Sequence, residues 1–105
     1  MTYVRYKFQK AISELSGDGS LSEHLINAYL VNLMHIELED LPETVRKDFV
    51  KFKSKIIQDY RGDHCLAVES IVKHMDEYEV KQLVDALFKI YDVVTKQDES
   101  LDHVA

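Results

Sequence analysis

Only three glycines and one proline occur in this chain of 105 residues. A fold of many short strands needs such residues at each tight turn, so their scarcity points to helices joined by few connections. Gly17 and Gly19 sit together in Ser16-Gly17-Asp18-Gly19-Ser20, Pro42 follows Asp40-Leu41, and Gly62 follows Tyr60-Arg61. Each of these places is also where the apolar periodicity breaks.

Between the breaks, apolar residues recur every three or four positions, the spacing of one helical face. The first helix is predicted over residues 2–16, with Val4, Phe8, Ala11, Ile12 and Leu15 as its stripe. Ser20-Leu21-Ser22-Glu23 has the form of a capping box, so a second helix begins there and runs to about Ile36. Its segment 28–34 is apolar on nearly every side, which suits a central helix. Asp40-Leu41-Pro42-Glu43 reads as an acidic cap, a proline in the first turn and a glutamate at the third helical position. The third helix then carries Val45, Phe49, Phe52, Ile56 and Tyr60 on one face and ends at Gly62, with Lys47, Lys51 and Lys55 on the opposite face. A shorter fourth helix spans about residues 64–74, with Val68, Ile71, Val72 and Met75 inward. Asp76 caps a fifth helix to about Lys96, in which Val80, Leu83, Val84, Leu87, Phe88, Tyr91 and Val94 face inward. The tail at 97–105 lacks periodicity and is expected to fray. These helices are too short to persist alone, so the fold expected is all-α: a compact antiparallel bundle of four to five helices forming one domain.

Apolar residues make up 46% of the chain and charged residues 30%, the composition of a globular protein. No apolar run approaches the roughly 20 residues that span a bilayer, and the N-terminus has no secretion-signal stretch. A cytoplasmic location without membrane attachment is therefore expected. The lone Cys65 has no internal disulfide partner, which fits a reducing compartment. A net charge of −6 argues against wrapping nucleic acid. The charge is unevenly spread, however. Residues 46–61 carry six basic against two acidic groups, net +4, while residues 63–102 carry four basic against ten acidic groups, net −6.

The run from Ala28-Tyr29-Leu30 through Glu39-Asp40-Leu41-Pro42-Glu43 to Arg46 and Phe49, together with Met75-Asp76-Glu77 and a helix closing on Leu87-Phe88-Lys89-Ile90-Tyr91, resembles small bacterial all-helical proteins of unassigned activity. The similarity covers about residues 20–95. It implies the same fold class and a bacterial source, and it carries no activity, cofactor or site residue.

Chemistry-bearing residues are present but not in working arrangements. No glutamate has a histidine three residues later, and neither H-E-x-x-H nor Cys-x-x-Cys occurs. His64 and Cys65 are neighbours, which on a helix directs them about 100° apart. Cys65 reads as a small buried hydrophobe rather than a nucleophile. Asn32 and His35 read as an inward polar pair joined across the bundle rather than as the lining of a ligand pocket. No metal, cofactor or catalytic residue is expected. The function expected is a non-enzymatic helical module for protein–protein interaction or self-association. Its candidate contact residues are Tyr3 and Tyr6, outside the stripe of the first helix, and the ridge Lys47, Lys51 and Lys55. The ordinary reading of those lysines is a solvated face, and of the tyrosines, packing under the C-terminal tail. The alternative is a nucleic-acid-binding regulator using the basic third helix, which Phe49 and Phe52 could serve only if they were exposed.

Overall fold

The computed structural model describes the backbone of residues 2–57 and 64–104, and the side chains of residues 3–57 and 67–96. Among the described residues every regular element is helical: α1 Thr2–Leu15, α2 Leu21–Asn27, a π-helical segment Ala28–Leu33, a 3-10 turn Leu38–Asp40, α3 Glu43–Ile56, α4 His64–Lys73 and α5 Glu77–Val104.

Two helix starts follow the capping chemistry read from sequence. Ser20 is extended at φ −69°, ψ 123°, and its hydroxyl accepts from the Glu23 amide at 3.4 Å. At the second, the Glu79 amide donates to the Asp76 carboxylate at 2.8 Å while Val80 donates to the Asp76 carbonyl. Asp76→Ala is expected to lower stability by about 1 kcal/mol, measured as a shift in the urea midpoint.

The third start differs from expectation. Asp40 does not cap α3; it closes the 3-10 turn, and the helix begins at Glu43 with Pro42 as the flanking residue and no side-chain cap. The cause is Pro42 itself. Its ring disfavours helical geometry in the preceding residue, and Leu41 is extended at φ −99°, ψ 150°, which separates Asp40 from the helix. Val45 donates instead to the Pro42 carbonyl at 3.0 Å, and Arg46 Nε donates to the Leu41 carbonyl at 3.0 Å.

The second helix changes character partway. After α2 the turns widen, and the Met34 amide donates five residues back to the Tyr29 carbonyl at 2.8 Å. This π geometry buries Ala28, Tyr29, Asn32 and Leu33 together. The helix ends at Leu33, short of the expected Ile36, and His35 falls in the exposed turn that follows. Asn32, 8% exposed, therefore does not pair with His35 across the bundle.

The core is one cluster drawing on every helix. At its centre four rings cross three elements: Phe8 of α1 meets Phe49 edge-on at 6.0 Å, Phe49 stacks on Phe52 at 6.2 Å, and Phe52 meets Tyr29 of the π segment at 6.2 Å. Burial pushes the Tyr29 phenol up to about 12, so it stays neutral at physiological pH. Around this centre α1 packs on the π segment and α5, α3 on α5, and α4 on α2.

On α5 the inward face is Val80, Leu83, Val84, Leu87, Ile90 and Val94. Phe88, expected inward, is 44% exposed, and Ile90 fills the core in its stead. The spacing explains this: Leu83, Leu87, Ile90 and Val94 follow a four-three-four step, from which Phe88 lies one residue, about 100°, away. The helix continues to Val104, beyond the expected end near Lys96. The third helix ends at Ile56, where Ile57 leaves helical geometry at φ −116°, ψ 83°, and not at the expected Gly62; Tyr60, Gly62 and the side chain of Cys65 lie outside the described residues.

Candidate functional site

The α3 helix holds five basic residues, Arg46, Lys47, Lys51, Lys53 and Lys55, against Glu43 and Asp48, net +3. Packing distributes them. Arg46 is tied to the Leu41 carbonyl and the Lys53 ammonium lies 5.8 Å from the centre of the Phe49 ring, so both serve the fold. Lys47 is exposed on the outer side. Lys51 and Lys55, one turn apart, stand along the seam where α3 meets α5.

That seam is an open groove of about 470 Å³. Its apolar lining is Ala86 of α5 with what little Phe52 of α3 and Leu83 of α5 expose, 2% and 4%, and around it stand Lys51, Lys55 and Lys89 with Asp48, Asp85 and Gln82. A smaller hollow of about 180 Å³ continues it through Lys55, Gln82 and Leu83 to Met75 and Glu79. Lys51, Lys89, Asp48 and Asp85 make no ion pair with any other described residue. Those four side chains, left without an ion pair around the groove, keep their pairing capacity for another charge. The lining contains no serine, threonine, cysteine or histidine.

Sequence reasoning placed Lys47, Lys51 and Lys55 on one ridge; the structure brings Lys51 and Lys55 into the groove and leaves Lys47 outside it. Lys89, Asp48, Asp85 and Gln82 were not singled out. Lys89 and Asp85 belong to the outward side of α5 by periodicity, and only the packing of α3 against α5 shows that this outward side borders a cavity.

Tyr3 and Tyr6 are 53% and 54% exposed, so they are not covered by the C-terminal tail. Each is accompanied by a lysine one turn on: Lys7 Nζ lies 5.8 Å from the Tyr3 ring centre and Lys10 Nζ 5.1 Å from that of Tyr6. No α1 residue lines the groove, so the tyrosines form a separate surface. Phe49 and Phe52, at 0% and 2% exposure, present no ring face on which a base could stack. Among the described residues no three His, Cys, Asp or Glu side chains converge where a metal ion could be held, and no helix is long and apolar enough to cross a membrane.

Fold and site together define an all-helical bundle with an open, lysine-walled groove between two of its helices. Comparison with protein-family models, with curated proteins and with solved structures gives no match.

Proposed function

We propose that this protein is a non-enzymatic interaction module whose α3–α5 groove receives an acidic amphipathic helix from a protein partner. The observation that carries this reading is the groove's composition: an apolar lining of Ala86 with the exposed edges of Phe52 and Leu83, surrounded by Lys51, Lys55 and Lys89. A helix laid along such a groove buries leucine-type side chains on that lining and meets the lysines with flanking carboxylates. Asp48 and Asp85 repel carboxylates at their own positions, which fixes the register of the incoming helix. A cytoplasmic setting fits a chain whose one cysteine has no internal disulfide partner.

The test is fluorescence anisotropy with a labelled synthetic helix of about four turns, carrying leucines at i, i+3 and i+7 and glutamates on both flanks. Saturable binding that weakens with added salt is expected, and Lys51→Glu with Lys55→Glu should weaken it by at least about tenfold. An absence of saturable binding at low salt, or equal binding by the double variant, overturns the reading.

A further inference from the structure

The turn at residues 16–20, between α1 and α2, is held by one imidazole. His24, midway along the seven-residue α2, directs Nδ1 at Glu14 Oε1 on α1, 3.2 Å away, and Nε2 at the main-chain carbonyl of Asp18. The side chain is only 18% exposed. Gly17 makes room for it: a Cβ there would lie 3.0 Å from His24 Cε1 and 3.3 Å from Nε2, tight enough that the imidazole would have to shift. Gly19, at φ 103°, supplies the left-handed residue that returns the chain to the Ser20 cap. The Glu14 carboxylate is oriented by a second donor on α2, Asn27 Nδ2, at 3.3 Å.

Both ring nitrogens thus face acceptors. A carbonyl oxygen only accepts, and so does an ionised carboxylate. A neutral imidazole owns one N–H and satisfies one of the two; only the imidazolium donates to both. We infer that His24 is a proton-operated latch: doubly protonated, it ties the 16–20 turn to α1 and α2 at once, and loss of one proton releases one of the two ties.

The electrostatic surroundings support this direction. The Asp18 carbonyl, then the hydrogen-bonded Glu14 carboxylate, raise the His24 pKa above its ordinary 6.5, and Glu23 on its own helix adds to the rise, against a smaller opposing effect of burial. From α4, packed on α2, come Lys73 and Glu69, which are paired to each other at 3.0 Å, with Lys73 also in the field of Glu23. A folded-state pKa above the unfolded value means that the latch stabilises fully below pH 6.5 and loses its contribution as pH rises through the raised value.

The experiment is nitrogen-15 NMR of the full chain across pH, with amide exchange of Gly17, whose N–H donates to the Glu14 carbonyl at 3.3 Å. The His24 ring is expected to show two protonated nitrogens at pH 6.5 and a midpoint above it, with Glu14→Gln moving that midpoint down. After correction for intrinsic base catalysis, Gly17 exchange should accelerate about two- to tenfold across the midpoint, the worth of one hydrogen bond. In His24→Gln the corrected exchange should be flat with pH, and the thermal-midpoint gap between native chain and variant should shrink as pH rises. A midpoint at or below 6.5, a single protonated ring nitrogen beneath the midpoint, or the same exchange profile in His24→Gln overturns the latch.

Discussion

Phe49→Ala is expected to destabilise the protein by about 3–5 kcal/mol, the largest effect of any single truncation considered. Phe49 is fully buried and is the middle ring of the chain Phe8–Phe49–Phe52–Tyr29, so its removal ends one edge-on contact and one stacked contact together. It also removes the ring beneath the Lys53 ammonium. Phe8 comes from α1 and Phe52 is fixed one turn along α3, so neither closes on the void without moving a helix. A domain of this size is stable by about 5–15 kcal/mol, so the variant should retain a small remainder and unfold at much lower urea. The measurement is the urea midpoint at constant m-value. Phe88→Ala, which removes an exposed ring, should shift the midpoint by less than about 0.5 kcal/mol equivalent and serves as the comparison.

Ala11→Leu is expected to cost about 1–3 kcal/mol by the opposite route. Ala11 has no exposed surface and belongs to the α1 face that packs on the π segment and α5. A larger side chain there has no solvent side to turn to, so it must displace Val4, Phe8 or Leu15 on its own stripe or push the neighbouring helix outward. Thermal unfolding should show a lower midpoint, and combination with Leu15→Ala should restore part of the loss by returning volume four residues away.

Much of the fold was legible because it is local. Ser20 and Asp76 announce helix starts through hydrogen bonds that span three residues, and the stripes of α1 and α3 need only the helical period. The misread positions share a different cause. Asp40 failed as a cap because the neighbouring proline constrains Leu41, a competing local rule of greater strength. His35 and Phe88 were placed by an ideal period, which the π segment and the early end of its helix break in one case, and which cannot choose between two adjacent stripes in the other. Among the candidate contact residues, Tyr3 and Tyr6 were legible as exposed because they stand off a clear stripe. The groove was not: it exists only between α3 and α5, and nothing in either helix alone marks Lys51 and Lys89 as neighbours of one cavity. His24 was equally hidden, since its partners lie six and ten residues back across a turn whose course the sequence leaves open.

The wide turn after α2 also limits how the chain can change length. An extra residue held within a helix works as a phase shifter: it lets Leu25 and Ile26 on one side of it, and Asn32 and Leu33 on the other, address the same interior. Deleting one residue between 28 and 33 would turn the wide turn into a regular one and keep both halves in phase, whereas adding one there would twist one half against the other by about 100°. Single-residue lengthening should therefore be tolerated between residues 37 and 40, where no side chain is buried, and rejected six residues earlier.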